Sequence, residues 1–230
     1  MKYFATIIAL LLSSTVCFAQ ELTQDEKSWI AAIQPFFLEA KAANINAAVG
    51  LDHESESGTS PVAMIYRPKE QQCLFMLAAK DSYASDVLQG VMPTSEGKEV
   101  ARAATAAHEY GHCVHNVLVA SKAPGSEALP PPGTPQAERL ADVFALAWFA
   151  KNRPADFASA HKFWTQLRKG VGNSASHNTL KAITASKSLN DDMARNPASP
   201  MDYAMNIVLN VPLPKPIAPE QVAMAQNSSK

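Results

Sequence analysis

Apolar positions along this chain recur with two spacings, one typical of helices and one typical of strands. After the capping box TQDE (23–26), apolar residues at helical spacing predict a first helix over roughly 24–47. The apolar runs VAMIYR (62–67) and QQCLFMLA (71–78) are joined by a short Pro-Lys-Glu turn. Runs of this length between turn signals predict a β-hairpin.

The second half of the chain is patterned almost entirely as helices. An alanine-rich stretch predicts a long helix from Thr94 or Ser95 to about Ser121, and the Pro- and Gly-rich segment 123–135 ends it. This order of elements indicates an α+β fold with a small β-sheet and a mostly helical carboxyl-terminal half. Further helices are predicted from Pro135 to Asn152, from Pro154 to Gly170, over 178–189 and over 200–210.

The first residues have the features of a secretory signal peptide. Lys2 supplies the positive charge, Tyr3 to Leu12 form the apolar core, and small residues precede a cleavage site after Ala19. A retained membrane anchor is the alternative, but the apolar run falls short of the roughly 20 residues that span a bilayer. We therefore predict a secreted or periplasmic protein. Its predicted parts are a signal peptide (1–19), a single domain (20–211) and a Pro-rich flexible tail (212–230).

The composition is that of a globular domain without a basic surface. With 47% hydrophobic residues the chain can bury a sizeable core, and its formal net charge of −1 leaves no basic stripe for nucleic acid. Beyond the signal peptide no segment is apolar enough to cross a bilayer, so we expect no membrane span in the mature chain.

The strongest chemical signal is His-Glu-x-x-His within AAHEYGHCVHNVL (106–118). Helical residues four apart share one face, so His108 and His112 can present ring nitrogens to one ion, and zinc favours such ligands. Glu109 lies about 100° around the helix from His108. It is therefore predicted to act as a base that takes a proton from a zinc-activated water. A chance match on a surface histidine pair is the alternative.

A zinc site of this kind needs a third protein ligand. His115 lies about 10 Å along the helix axis from His108, too far to share an ion, and is predicted to be a packing histidine. Glu138, on the next helix, can complete a His-His-Glu site. Asp142, one turn further on, can accept the far ring N–H of a ligand histidine. Two solvated acids are the alternative, but the apolar residues around them favour a buried partner.

HEYGH followed by E-x-x-A-D on a later helix resembles the gluzincin clan of zinc metallopeptidases, in the thermolysin-like arrangement and in the compact form of the small minigluzincins. The resemblance covers roughly residues 60–150. It implies a zincin-like fold, with a small sheet over the active-site helix and the glutamate-bearing helix beside it. It further implies one zinc ion per chain bound by His108, His112 and Glu138, with Glu109 as base and Asp142 behind the ligands.

Hydrolysis also needs a donor for the developing oxyanion. Members of the clan often use a histidine or tyrosine beyond the third ligand, and here the candidates are His177 and Tyr203. A surface residue that caps a helix is the alternative for His177. His53 and His161 have no supporting acid nearby in sequence and are predicted to lie at the surface.

Cys73 and Cys113 are the two cysteines that remain once the signal peptide is removed. Cys113 follows Glu109 by four residues and so shares its helical stripe, while Cys73 belongs to the predicted strand nearest in sequence. We predict a disulfide between them, as suits an oxidising compartment. Two separate buried thiols are the alternative.

Together these patterns predict an exported zinc metallopeptidase that hydrolyses peptide or protein substrates. One alternative is a zinc-containing binding protein of the same fold without catalysis, and another is a hydrolase of a non-peptide amide. A binding protein would be expected to lose Glu109 first, so its presence favours an enzyme.

Overall fold

The computed structural model describes residues 22–52, 61–78, 92, 94–170 and 179–212. The predicted signal peptide, His53, His177 and the tail beyond Pro212 lie outside the described residues. Within them the fold is mixed α and β, mostly helical, with a small three-stranded sheet. No helix in this part of the chain combines the length and apolar character needed to cross a bilayer.

The described elements follow the order helix, three strands, then helices to the end. The strands are β1 (Asn46–Asp52), β2 (Val62–Arg67) and β3 (Gln72–Ala78). The helices are α1 (Gln24–Ala42), α2 (Ser95–Ser121), α3 (Pro135–Asn152), α4 (Phe157–Gly170), α5 (Leu180–Ala185), α6 (Leu189–Arg195) and α7 (Pro200–Leu209).

The sheet has the order β1-β3-β2, with β3 antiparallel to β2 and parallel to β1. The predicted hairpin is therefore present as β2 and β3. Alternate residues of β3, namely Cys73, Phe75 and Leu77, are buried, as a strand with one face toward the core requires. These three residues therefore form the face of β3 that is directed toward the core.

Strand β1 is absent from the predicted elements, and the first helix is shorter than predicted. Helix α1 ends at Ala42, because Asn44 adopts a left-handed conformation with φ 56°, which a continuing helix cannot contain. Ala47 and Val49 then pair with Cys73 and Phe75 across the parallel ladder. The extended conformation of this alanine-rich stretch thus depends on a distant strand.

The helix predicted over 178–189 is confirmed in part, from Leu180 onward, but it is interrupted, and residue 178 lies outside the described residues. The structure has two short helices, α5 and α6, which are linked by a 3₁₀ turn at Ser186–Ser188. The buried hydroxyl of Ser186 donates to the carbonyl oxygen of Ala182, a bond of the kind that competes with regular helix geometry.

Helices α2 and α3 form the centre of the domain and pack closely. Helix α2 begins at the N-cap Thr94, whose hydroxyl accepts from the backbone of Gly97, and α3 begins at the N-cap Thr134. A Cβ added to Gly111 would lie 3.0 Å from the ring of Phe144. The glycine inside the His-Glu-x-x-His motif therefore lets the two helices approach closely enough for their side chains to share a site.

A disulfide joins Cys73 in β3 to Cys113 in α2, with 5.7 Å between their Cα atoms. Both cysteines are fully buried between the sheet and the helix. Because Cys113 directly follows His112, the bond connects the sheet to the histidine-bearing turn of α2.

Removing this disulfide should lower the stability of the metal-free protein substantially. The bond closes a loop with a sequence separation of 40 residues. In the chain-entropy model such a loop contributes roughly 3–4 kcal/mol. We expect the double variant Cys73→Ala, Cys113→Ala to lose that amount in urea unfolding. Intact-mass measurement with alkylation should find thiols only after reduction, and two free thiols in exported protein would contradict the bridge.

Candidate metal centre

Three side chains from α2 and α3 converge on one point. His108 and His112, one turn apart on α2, bring their Nε2 atoms to 3.1 Å from each other. Glu138 comes from the first turn of α3, with Oε2 3.5 Å from Nε2 of His108 and Oε1 3.4 Å from Nε2 of His112. The ligand atoms of this trio all lie within 4.8 Å of one another, so it could hold a metal ion.

The spacing of these atoms can be compared with the ligand spacing around a tetrahedral ion such as zinc. Zinc bonds of 2.0–2.1 Å to nitrogen and oxygen set neighbouring ligand atoms about 3.3–3.4 Å apart. The two Nε2 atoms are 3.1 Å apart, and each lies 3.4–3.5 Å from a different oxygen of Glu138, so the carboxylate faces both nitrogens at close to this spacing. Two imidazoles and one carboxylate also leave a fourth position for water or substrate.

Asp142 supports the trio from behind. It is fully buried, and its Oδ1 lies 2.8 Å from Nδ1 of His108, a close contact whose angle falls short of a well-aligned hydrogen bond. With Nδ1 facing Asp142, the opposite ring nitrogen of His108 is directed to the trio. Burial raises the pKa of Asp142, but Arg168 and His108 outweigh it and hold that pKa well below its usual range.

Two residues absent from the sequence predictions complete the surroundings of Asp142. Arg168 donates from Nε to Oδ2 at 2.9 Å and from Nη2 to Oδ1 at 2.7 Å. Thr179 donates its hydroxyl to Oδ2 at 2.5 Å. Arg168 had a signal in the sequence, because it falls on the apolar stripe of α4 with Phe157 and Trp164, and a charge there needs a buried partner. Thr179 had none.

Glu109 lies beside the trio without belonging to it. The side chain is buried, and Oε2 accepts a 2.9 Å hydrogen bond from the backbone N–H of Met64 in β2. Burial raises the pKa of Glu109, and the charges of His108 and His112 oppose this rise. The carboxylate is thus held between the sheet and the ligands.

The two other described histidines, His115 and His161, each place Nε2 beside a backbone carbonyl oxygen. Nε2 of His115 lies 2.8 Å from the carbonyl oxygen of Pro130, and this residue is 1% exposed, as a packing histidine should be. His161 keeps part of the surface exposure predicted for it, and its Nε2 lies 2.9 Å from the carbonyl oxygen of Ile183.

Of the two candidate oxyanion donors, only Tyr203 belongs to the described residues. His177 lies outside the described residues. The hydroxyl of Tyr203 donates at 2.7 Å to the carbonyl oxygen of Asn196, and Asp192 and Arg195 are the charges that act on it. These contacts tie Tyr203 to the junction of α6 and α7, and they give its predicted catalytic role no support.

Zinc affinity should rise with pH across the neutral range. Burial lowers the pKa of His108, but the carboxylates of Asp142 and Glu138 outweigh it and raise that pKa to about 10. Below this pH the metal-free site holds a proton that zinc must displace, so affinity should fall about tenfold per pH unit for one released proton. Competition with a chelator of known proton affinity at pH 6, 7 and 8 measures this. A pH-independent affinity would contradict it.

Comparison with known proteins adds no relative. No family model, curated protein or solved structure matches this chain.

Proposed function

We propose that this chain is an exported zinc metallopeptidase of the gluzincin type, which hydrolyses peptide bonds in peptides or proteins. The observation that carries the proposal is the convergence of His108, His112 and Glu138, whose ligand atoms all lie within 4.8 Å of one another, with Glu109 held beside them as a carboxylate outside the trio. The metal ligands and the general base of a metal-assisted hydrolytic site then each have a residue among the described ones.

The chemistry follows from what each residue can do. When bound, zinc would lower the pKa of a coordinated water and polarise the substrate carbonyl. Glu109 would take the proton of the attacking water and later deliver it to the leaving amine. Its burial suits this task, because a raised pKa brings the carboxylate closer to the working pH of a proton carrier. Met64 keeps the carboxylate in place through its backbone N–H.

The arrangement of elements agrees with the zincin-like fold that the sequence resemblance implies. Helix α2 carries the two histidines and packs against β2, while α3 carries Glu138 and packs along α2. Asp142 lies on the far side of His108 from Glu138, in the position expected of the carboxylate that orients a ligand.

Export is supported by the disulfide between Cys73 and Cys113. Such bonds persist in oxidising compartments and are rare where thiols are kept reduced. The signal-like amino terminus and the bridge therefore favour the same location, outside the cytosol.

Cleavage of a peptide library tests the proposal. Mature protein loaded with one zinc equivalent should generate new peptide termini, detected by mass spectrometry. A chelator should stop cleavage, and added zinc should restore it. The Glu109→Gln variant serves as the matched control for contaminating peptidases. If zinc-loaded wild type produces no more termini than this variant, the protein is not a peptidase, and a zinc-containing binding protein becomes the better explanation.

A further inference from the structure

We infer that Arg168 is a positioning residue of the metal centre, which fixes the ring of His108 through Asp142 and through Trp164. This inference rests on the metal site of the proposed function but does not depend on peptidase activity. Arg168 lies on α4, a helix that carries none of the three ligands.

The first contact path runs through the carboxylate of Asp142. Arg168 binds both of its oxygens with the two arms of the guanidinium fork, at 2.9 and 2.7 Å. The oxygen that accepts from Nη2 is Oδ1, the same atom that lies 2.8 Å from Nδ1 of His108. A bidentate pair defines the plane of a carboxylate, so Arg168 sets where Oδ1 stands relative to the imidazole ring.

The second contact path runs through the ring of Trp164. The guanidinium carbon of Arg168 lies 5.0 Å from the centroid of this ring, one helical turn earlier on α4. The same ring lies 5.2 Å from the ring of His108, at an interplanar angle of 34°. His108 therefore has Asp142 at its edge and Trp164 near its face, and Arg168 contacts both.

Burial indicates that this arginine acts on the protein and not directly on a substrate. The side chain of Arg168 is only 6% exposed and that of Asp142 is 0% exposed. Three acids, Glu109, Glu138 and Asp142, surround the histidine pair, and the charge of Arg168 interacts with all three. A buried carboxylate without this partner would favour another conformation or a proton.

The substitution Arg168→Lys tests whether the bidentate geometry of the guanidinium is needed in addition to its positive charge. Lysine keeps the positive charge but cannot bind both oxygens in one plane. We expect zinc affinity to fall about 10- to 100-fold, the usual effect of losing an outer-shell partner of a metal ligand. The visible spectrum of the cobalt-substituted protein should change as well, because the ring of His108 is reoriented.

The matched control is Arg102→Lys. Arg102 also pairs with an aspartate, Asp25 at 2.6 Å, and also lies over a tryptophan ring, that of Trp29 at 5.8 Å. It lies on α2 like His108, yet no described contact joins it to the trio. Arg102→Lys should therefore leave zinc affinity and the cobalt spectrum unchanged.

A double-variant cycle tests the route through Asp142. In an Asp142→Asn background, Arg168→Lys should reduce zinc affinity by less than about threefold, since its main target is already altered. If Arg168→Lys is too unstable to purify, NMR of the wild-type protein can test whether Arg168 is coupled to the metal centre. The Nε–H signal of Arg168 should shift when zinc is added, and that of Arg102 should not.

The outcomes separate this inference from the proposed function. The inference on Arg168 would be overturned if Arg168→Lys kept wild-type zinc affinity and an unchanged cobalt spectrum. It would also be overturned if this substitution reduced zinc affinity as much in the Asp142→Asn background as in the wild type. An NMR signal of Arg168 that does not shift when zinc is added would contradict it as well. Weakened zinc binding without any peptide cleavage would support it and refute only the peptidase. A wild-type protein that binds no metal would overturn both.

Discussion

Glu138→Ala should abolish the zinc binding that we propose while leaving the protein able to fold. The substitution removes the carboxylate whose oxygens lie 3.4–3.5 Å from the two Nε2 atoms, so only His108 and His112 remain as ligands. The loss of affinity should exceed the roughly 100-fold expected for an outer-shell change. A 100-fold loss alone removes about 2.7 kcal/mol of zinc-linked stability.

Metal analysis and urea unfolding with and without zinc measure both effects. In wild type we expect one zinc per chain and a clear stabilisation by the ion, and in the variant neither. Glu127→Ala is the matched control, because Glu127 is an exposed acid in the connection before α3. Full zinc occupancy in Glu138→Ala would remove Glu138 from the ligand set.

Glu109→Gln should abolish hydrolysis and keep the metal. Glutamine has nearly the same shape, and its side-chain oxygen can still accept from the N–H of Met64. It cannot take a proton from water, and loss of a general base lowers the rate by about 10²–10⁴-fold. We expect this fall in kcat/KM with zinc content unchanged.

The metal content of the Glu109→Gln variant decides how its activity is interpreted. Inactive protein with one zinc per chain agrees with a base outside the ligand set. Inactive protein without zinc would make Glu109 a ligand, and active protein would show that hydrolysis needs no base at this position.

Much of the site could be predicted because its key spacings are local. The four-residue separation of His108 and His112 places their rings on one face of any helix, whatever surrounds it. Glu138 and Asp142 repeat this spacing in an apolar stretch, where acids need partners. The meeting of the two pairs required only that consecutive helices pack together, which Gly111 allows.

The parts that could not be predicted depend on distant partners. The first helix was predicted to extend to about residue 47, and no element was predicted for the rest of the stretch 46–52. These residues form a strand because they pair with β3, a partner that is distant in sequence. The bond between Arg168 and Asp142 depends on how α4 docks against α3, which no local pattern specifies. The hydroxyl of Tyr203 donates to the carbonyl oxygen of Asn196. This contact depends on the chain geometry between α6 and α7, so the sequence did not indicate it when Tyr203 was chosen as a candidate.

Zinc binding at this centre is tested most directly by anomalous diffraction from crystals of the zinc-loaded protein, measured just above and just below the zinc absorption edge. We expect one anomalous peak per chain, about 2.0–2.2 Å from Nε2 of His108, Nε2 of His112 and an oxygen of Glu138. A peak at other side chains, or no peak in zinc-loaded crystals, would contradict the assignment of these three residues as the metal ligands.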